Sequence, residues 1–145
     1  MTMAAIEHLP PPSMEDAAAD ERTQPFWDAA AAGELVAPTC SSCGTMRMPP
    51  TRICPNCLSM ELEYTTLPGT GTVFTSAVVR EAQRGDDAGS VPYVAALIDA
   101  DGAPGIRFVS NVVNCDPDSV TIGMPVKVVF HKVSDTLTLP LWEPA

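Results

Sequence analysis

The chain has 145 residues, a formal net charge of −10 and a hydrophobic share of 46%, enough for one domain or two very small ones sharing a core. Eighteen acids against eight bases leave no basic footprint of the kind a nucleic acid needs, and four thiolates on a divalent metal would add two further negative charges. Fifteen prolines argue against long helices, and an aromatic share of 6% makes a thin core that a metal or a partner would help to complete.

Residues 1–22 mix a triple proline, alanines and acids without a periodic apolar face, so a mobile tail is expected there. Thr23 or Gln24 then stands near a helix cap, with Pro25 in the first turn, and Phe26 to Ala32 form a short helix closed by Gly33. Such a helix is too short to hold alone, so something must receive Phe26 and Trp27: the neighbouring ribbon, or a partner for which they are aromatic anchors.

Two Cys-x-x-Cys pairs follow, Cys40/Cys43 and Cys54/Cys57, separated by the ten residues Gly44 to Ile53. That spacer allows a hairpin which returns the second pair to the first. Four thiolates so placed suit one tetrahedral metal. Zinc is expected, with iron in a rubredoxin-type centre as the chemical alternative. A closed set of four sulfurs leaves no position for water or substrate, so the metal is structural rather than catalytic. Neither pair opens a helix in a βαβ setting, which disfavours two redox dithiols. Arg47 and Arg52 lie in the spacer of a chain short of bases. They are either ordinary solvated residues, or one of them meets a phosphate of a nucleotide-like ligand.

From Tyr64 onward short strands alternate with turn signals: Gly71–Val79, Val91–Asp99, Ile106–Val113, Val126–Val133 and Leu137–Trp142. Gly85–Ser90 reads as a flexible loop, Asp101-Gly102 as a hairpin turn and Asp116–Asp118 as the start of a helical turn or loop. Five strands with one crossover after the third suit an OB-type Greek-key barrel, although the count alone also allows an SH3-like barrel. The fold expected is therefore mainly β: a helix, a four-cysteine ribbon within residues 23–63, then a barrel over 64–145.

Cys115 sits beside acids that raise a thiol pKa and reads as a structural cysteine, while His131 on a strand reads as a surface or packing residue. Gly69-Thr70-Gly71 lacks the length and the lysine of a phosphate loop. No nucleophile–base–orienter set can be assembled, so the chain by itself does not read as an enzyme. Without a basic-then-apolar leader or an apolar run of membrane length, and with paired cysteines suited to a metal, a cytoplasmic location and no membrane association are expected.

Pro25-Phe26-Trp27, the two cysteine pairs with Pro49-Pro50-x-Arg52, Gly69-x-Gly71-Thr72-Val73, Asn111 to Asp118, Ile122-Gly123-Met124-Pro125-Val126 and Leu139 to Trp142 together resemble one family. These are the acyl-CoA-associated OB-fold proteins with a rubredoxin-like zinc ribbon, domain of unknown function thirty-five. The resemblance implies a partner of thiolase fold, such as a thiolase, an acyltransferase or a lipid-transfer-type aldolase. It also implies a hetero-oligomer in which the partner carries the catalytic residues and the small chain supports it and shares an acyl-CoA site. Arg52 is the residue of this chain placed toward that CoA. The other use of such modules, a nucleic-acid-binding ribbon and OB protein, conflicts with the missing basic groove and the few aromatics.

Overall fold

A computed structural model describes residues 5–9, 20–82 and 88–145. Helix α1 (Gln24–Ala31) carries Pro25 in its first turn and ends at Ala32, with Gly33 in the left-handed region. Thr23 is its N-cap residue but makes no side-chain cap bond, since its hydroxyl is engaged with Asp20 instead. Strands β1 (Val36–Cys40) and β2 (Leu62–Thr66) form a two-stranded antiparallel sheet. Five further strands close a barrel: β3 (Thr70–Val79), β4 (Tyr93–Ala100), β5 (Phe108–Val112), β6 (Pro125–Lys132) and β7 (Thr138–Pro144).

The order around the barrel is β3-β4-β5-β7-β6, and β6 returns to β3 through Thr70↔Lys127 and its neighbours. The last strand, β7, thus sits between β5 and β6, parallel to β5 at Val112↔Trp142. That arrangement settles the barrel as OB-type and sets aside the SH3-like alternative. Alternation decides the inside of β4, where Val94, Ala96, Ile98 and Ala100 are buried in strict period two. Gly71 is a steric requirement: a Cβ there would lie 2.4 Å from the carbonyl oxygen of Asp99 on β4.

All five residues of β1 are buried, and Leu35 and Ala37 belong to the same apolar cluster as the barrel residues Ile98, Phe108, Val126 and Trp142. Met46 and Met48 from the spacer pack on that cluster as well. The ribbon therefore closes one part of the barrel core. Helix α1 lies against β7, β1 and β6. Phe26 stacks on Phe108 at 6.4 Å and meets Trp27 edge-on at 5.1 Å. Its receiver is the core that ribbon and barrel share: Phe26 sits on Phe108 of the barrel, and α1 lies against β1 of the ribbon as well as β7 and β6.

Residues 5–9 fall within the stretch expected to be a mobile tail, yet they are bonded to the barrel. Glu7 N–H donates to Asn114 Oδ1, Asn114 N–H donates to the Glu7 carbonyl, and His8 Nδ1 lies 3.1 Å from the Pro92 carbonyl. Part of the loop expected at Gly85–Ser90 lies outside the described residues; Ala88–Ser90 form a 3-10 turn. Among the described residues no helix is long and apolar enough to cross a membrane.

Candidate functional site

The two cysteine pairs build the same turn twice. Gly44 N–H donates to the Cys40 carbonyl and Cys40 N–H to Thr45; Leu58 N–H donates to the Cys54 carbonyl and Cys54 N–H to Ser59. In each, the residue after the second cysteine adopts positive φ, +77° at Gly44 and +63° at Leu58. Antiparallel β1 and β2, together with the bridge Thr39↔Met46, bring the two turns face to face.

All four sulfurs lie within 4.8 Å of one another, with Cys40–Cys57 at 3.6 Å and Cys43–Cys54 at 3.7 Å. Sulfurs about 2.3 Å from a tetrahedral zinc stand roughly 3.8 Å apart, so the spacing matches the ion. Cys40 and Cys54 are buried, Cys43 and Cys57 exposed. The donor set carries its own electrostatic signature. The Thr45 hydroxyl, 3.2 Å from Cys43 Sγ, together with Asn56 Nδ2 and the Thr45 N–H, holds that thiol down to about 5. The Ser59 N–H draws Cys57 down, but desolvation and the sulfurs of Cys43, Cys40 and Cys54 outweigh it and push Cys57 up to about 12. Four adjacent sulfurs cannot all ionise without a cation among them. The set fits zinc, which when bound supplies fold stability, since four sulfurs complete its coordination.

Arg52 is exposed and has no carboxylate within ion-pair distance among the described residues. It lines a cavity of about 490 Å³ with Asp20, Glu21, Arg22, Arg47 and Thr51. Arg47 corrects the reading of it as a solvated residue. It is 5% exposed, because its strand-like stretch bonds to β1 through Arg47 N–H and the Pro38 carbonyl and turns the side chain inward. Its Nε donates to the Thr51 carbonyl at 3.0 Å, while Nη1 and Nη2 are buried without a hydrogen-bond acceptor. The only hint of this in the sequence was the scarcity of bases, which says nothing about burial.

A larger groove of about 1490 Å³ runs between α1 and the barrel, with Phe26, Trp27, Pro49, Tyr93, Val109 and His131 among its lining. Sequence reasoning did not place His131 in it, because which strand edges border a groove depends on barrel closure. Cys115 is half-buried against the core; burial pushes its thiol up, a Ser119 hydrogen bond opposes the rise and the Asp116 carboxylate adds to it.

A helix, a four-cysteine zinc-binding ribbon and a five-stranded OB barrel sharing one core define a zinc-ribbon OB-fold protein. Residues 27–63 match the family model described as "ChsH2, rubredoxin-like zinc ribbon domain" and residues 64–131 that described as "ChsH2, C-terminal OB-fold domain". The chain is 37% identical over 102 residues to a "DUF35 domain-containing scaffold protein" of Methanocaldococcus jannaschii, covering 70% of each, and it belongs to this DUF35 family. It is 35% identical to a "Probable enoyl-CoA hydratase alpha subunit" of Thermomonospora curvata over 93% of this chain and 41% of that protein. With the "3-oxo-4,17-pregnadiene-20-carboxyl-CoA hydratase alpha subunit" of Mycobacterium tuberculosis it shares 33% identity over 95% of this chain and 42% of that protein. The chain thus spans about two fifths of the length of these two hydratase subunits. Among solved structures, a chain of "Ltp2-ChsH2(DUF35) aldolase" superposes with a TM-score of 0.79 at 32% identity, covering 89% of this chain and 98% of that one. A DUF35 protein of Sulfolobus solfataricus, at 16% identity and a TM-score of 0.60, shares the fold.

Proposed function

We propose that this chain is a non-catalytic accessory subunit of a thiolase-fold acyl-CoA enzyme, of the kind that cleaves steroid or other lipid side-chain CoA thioesters by a retro-aldol reaction. The observation that carries the reading is the likeness to a chain of "Ltp2-ChsH2(DUF35) aldolase", which covers almost the whole of that chain at 32% identity. One feature of the molecule supports it: four cysteine sulfurs complete a zinc ion's coordination and would leave no open position for substrate. In this reading the chain stabilises the partner and helps to form the acyl-CoA site, with Arg52 directed to the CoA. Trp27, half-buried at the rim of the large groove, is the aromatic anchor for the partner.

The test is co-purification from the native host with a tagged chain, followed by mass spectrometry. A thiolase-fold protein recovered in near-equal amount is the expected result. Recovery of the metal-loaded chain with nucleic acid, or with no partner at all, would count against the reading. In the assembled complex Arg52→Ala is expected to weaken thioester use, and unchanged kinetics would remove Arg52 from the site.

A further inference from the structure

Seven basic side chains belong to the described residues, and five of them have a carboxylate within 4.0 Å. Arg22 meets Asp20, Arg80 meets Asp118, Arg107 meets Asp99, Lys127 meets Glu143 and Lys132 meets Asp135. The two that have none, Arg47 and Arg52, line the same cavity of about 490 Å³. In a chain of net charge −10, carboxylates are abundant, so two guanidiniums on one cavity without an ion pair are not explained by a shortage of partners.

Arg47 is the more telling of the two. A guanidinium is charged at every pH a protein meets, so burial cannot neutralise it as it would a lysine. A buried charge without a counter-ion is strongly unfavourable. Here one of the three guanidinium nitrogens is satisfied, by the Thr51 carbonyl, and both Nη atoms are left over. The spacer holds this side chain in place from the backbone, through Arg47 N–H to Pro38 on β1. Exposed Arg52, five residues further on, lines the same cavity with the ion-paired Arg22, and Asp20 and Glu21 also border it. Arginine is bidentate toward tetrahedral oxyanions, and a second cation beside the fork favours a dianion over a single carboxylate. The overall field of the protein repels anions, so any such binding has to be local.

We infer that the cleft between the Asp20–Arg22 turn and the ribbon is a phosphate-binding site, with Arg47 as its buried ligand and Arg52 as its exposed one. The inference rests on the accessory-subunit reading only for the origin of the phosphate, which is either free or part of a larger nucleotide-like ligand. The site itself belongs to this chain alone.

The test uses the metal-loaded full chain without a partner, so its outcome is separate from that of the co-purification. Inorganic phosphate, compared with chloride at equal ionic strength, is expected to raise the melting temperature and to give a saturable calorimetric isotherm. Arg47→Met is expected to abolish that response and, by removing an unpaired buried charge, to melt no lower than the parent in chloride. Arg52→Ala is expected to weaken phosphate about tenfold while leaving the melting temperature in chloride unchanged. A parent protein indifferent to phosphate overturns the inference, whatever becomes of the Arg47 variant. So does an Arg47→Met protein that melts lower and still responds, which would make Arg47 a structural strut. A nucleoside diphosphate that binds tighter than inorganic phosphate would support the site and assign the phosphate to a larger ligand. Equal binding would support it as a site for free phosphate.

Discussion

At the residue scale the metal turns carry most of the local information. Each cysteine pair ends in a residue with left-handed backbone, a conformation that costs a residue with a Cβ roughly 1–2 kcal/mol. A Cβ on Gly44 would meet nothing within 4 Å, so Gly44→Ala isolates this backbone term. We expect it to destabilise the protein by about 1 kcal/mol. Leu58, at φ +63° and 75% exposed, is the reverse case: Leu58→Gly should be neutral or stabilising by up to about 1 kcal/mol. Both changes are read from denaturant unfolding of the metal-loaded protein. Cys54→Ser replaces a fully buried ligand and is expected to lose the metal and the order of the ribbon, as shown by metal analysis and amide exchange. Titration follows from the same atoms. Near neutral pH the metal-free Cys57, at about 12, holds its proton and Cys43, at about 5, does not. Binding therefore releases at least the Cys57 proton, and affinity should rise about tenfold per pH unit for each proton released. Below about pH 5 Cys43 is protonated too, which adds one more proton to the slope. Competition with a chelating indicator at several pH values measures it.

Among the elements, β3 is the ten-residue strand that pairs with β4 on one side and closes the barrel onto β6 on the other. Its register shifts between Val73 and Thr75, and at that point Phe74 is turned outward under Arg107, whose guanidinium carbon lies 3.7 Å from the ring centre. Before it, Gly71 lies so close to Asp99 and Ala100 that no side chain fits. Gly71→Ala should cost about 1–3 kcal/mol by overpacking and backbone displacement, measured as a lower denaturation midpoint with unchanged slope. The Gly-Thr-Val pattern marked a strand opened by glycine. Contact with β4 is what makes that glycine obligatory, and the contact exists only once Gly71 pairs with Ala100. The helix behaves similarly. Its start at Gln24 with Pro25 in the first turn was readable from proline's fixed φ, whereas Phe108 in the barrel, on which Phe26 stacks, lies 82 residues further along the chain.

For the whole molecule, the shared core sets how stability is distributed. Leu35, just before β1, and Ala37 within it lie in one cluster with Trp142 and Val126 of the barrel, so ribbon and barrel should unfold together. Chelation of the metal is then expected to lower a single thermal transition by more than about 5 °C, rather than to add a separate low-temperature one. Two transitions by calorimetry would show that the two parts are independent. The sequence by itself determined the pieces whose physics is local: the paired cysteines at metal spacing, the proline and glycine limits of α1, and the period-two strands with their turns. It also determined the excess of acids that leaves no basic footprint. Only the tertiary structure decided the strand order that makes the barrel OB-type, the seat of Phe26 on Phe108, and the burial of Arg47 beside Arg52. Each of these depends on contacts between residues far apart in the chain. An arginine in a turn-rich spacer looks the same whether it faces water or a cleft, and only its neighbours in space tell the two apart.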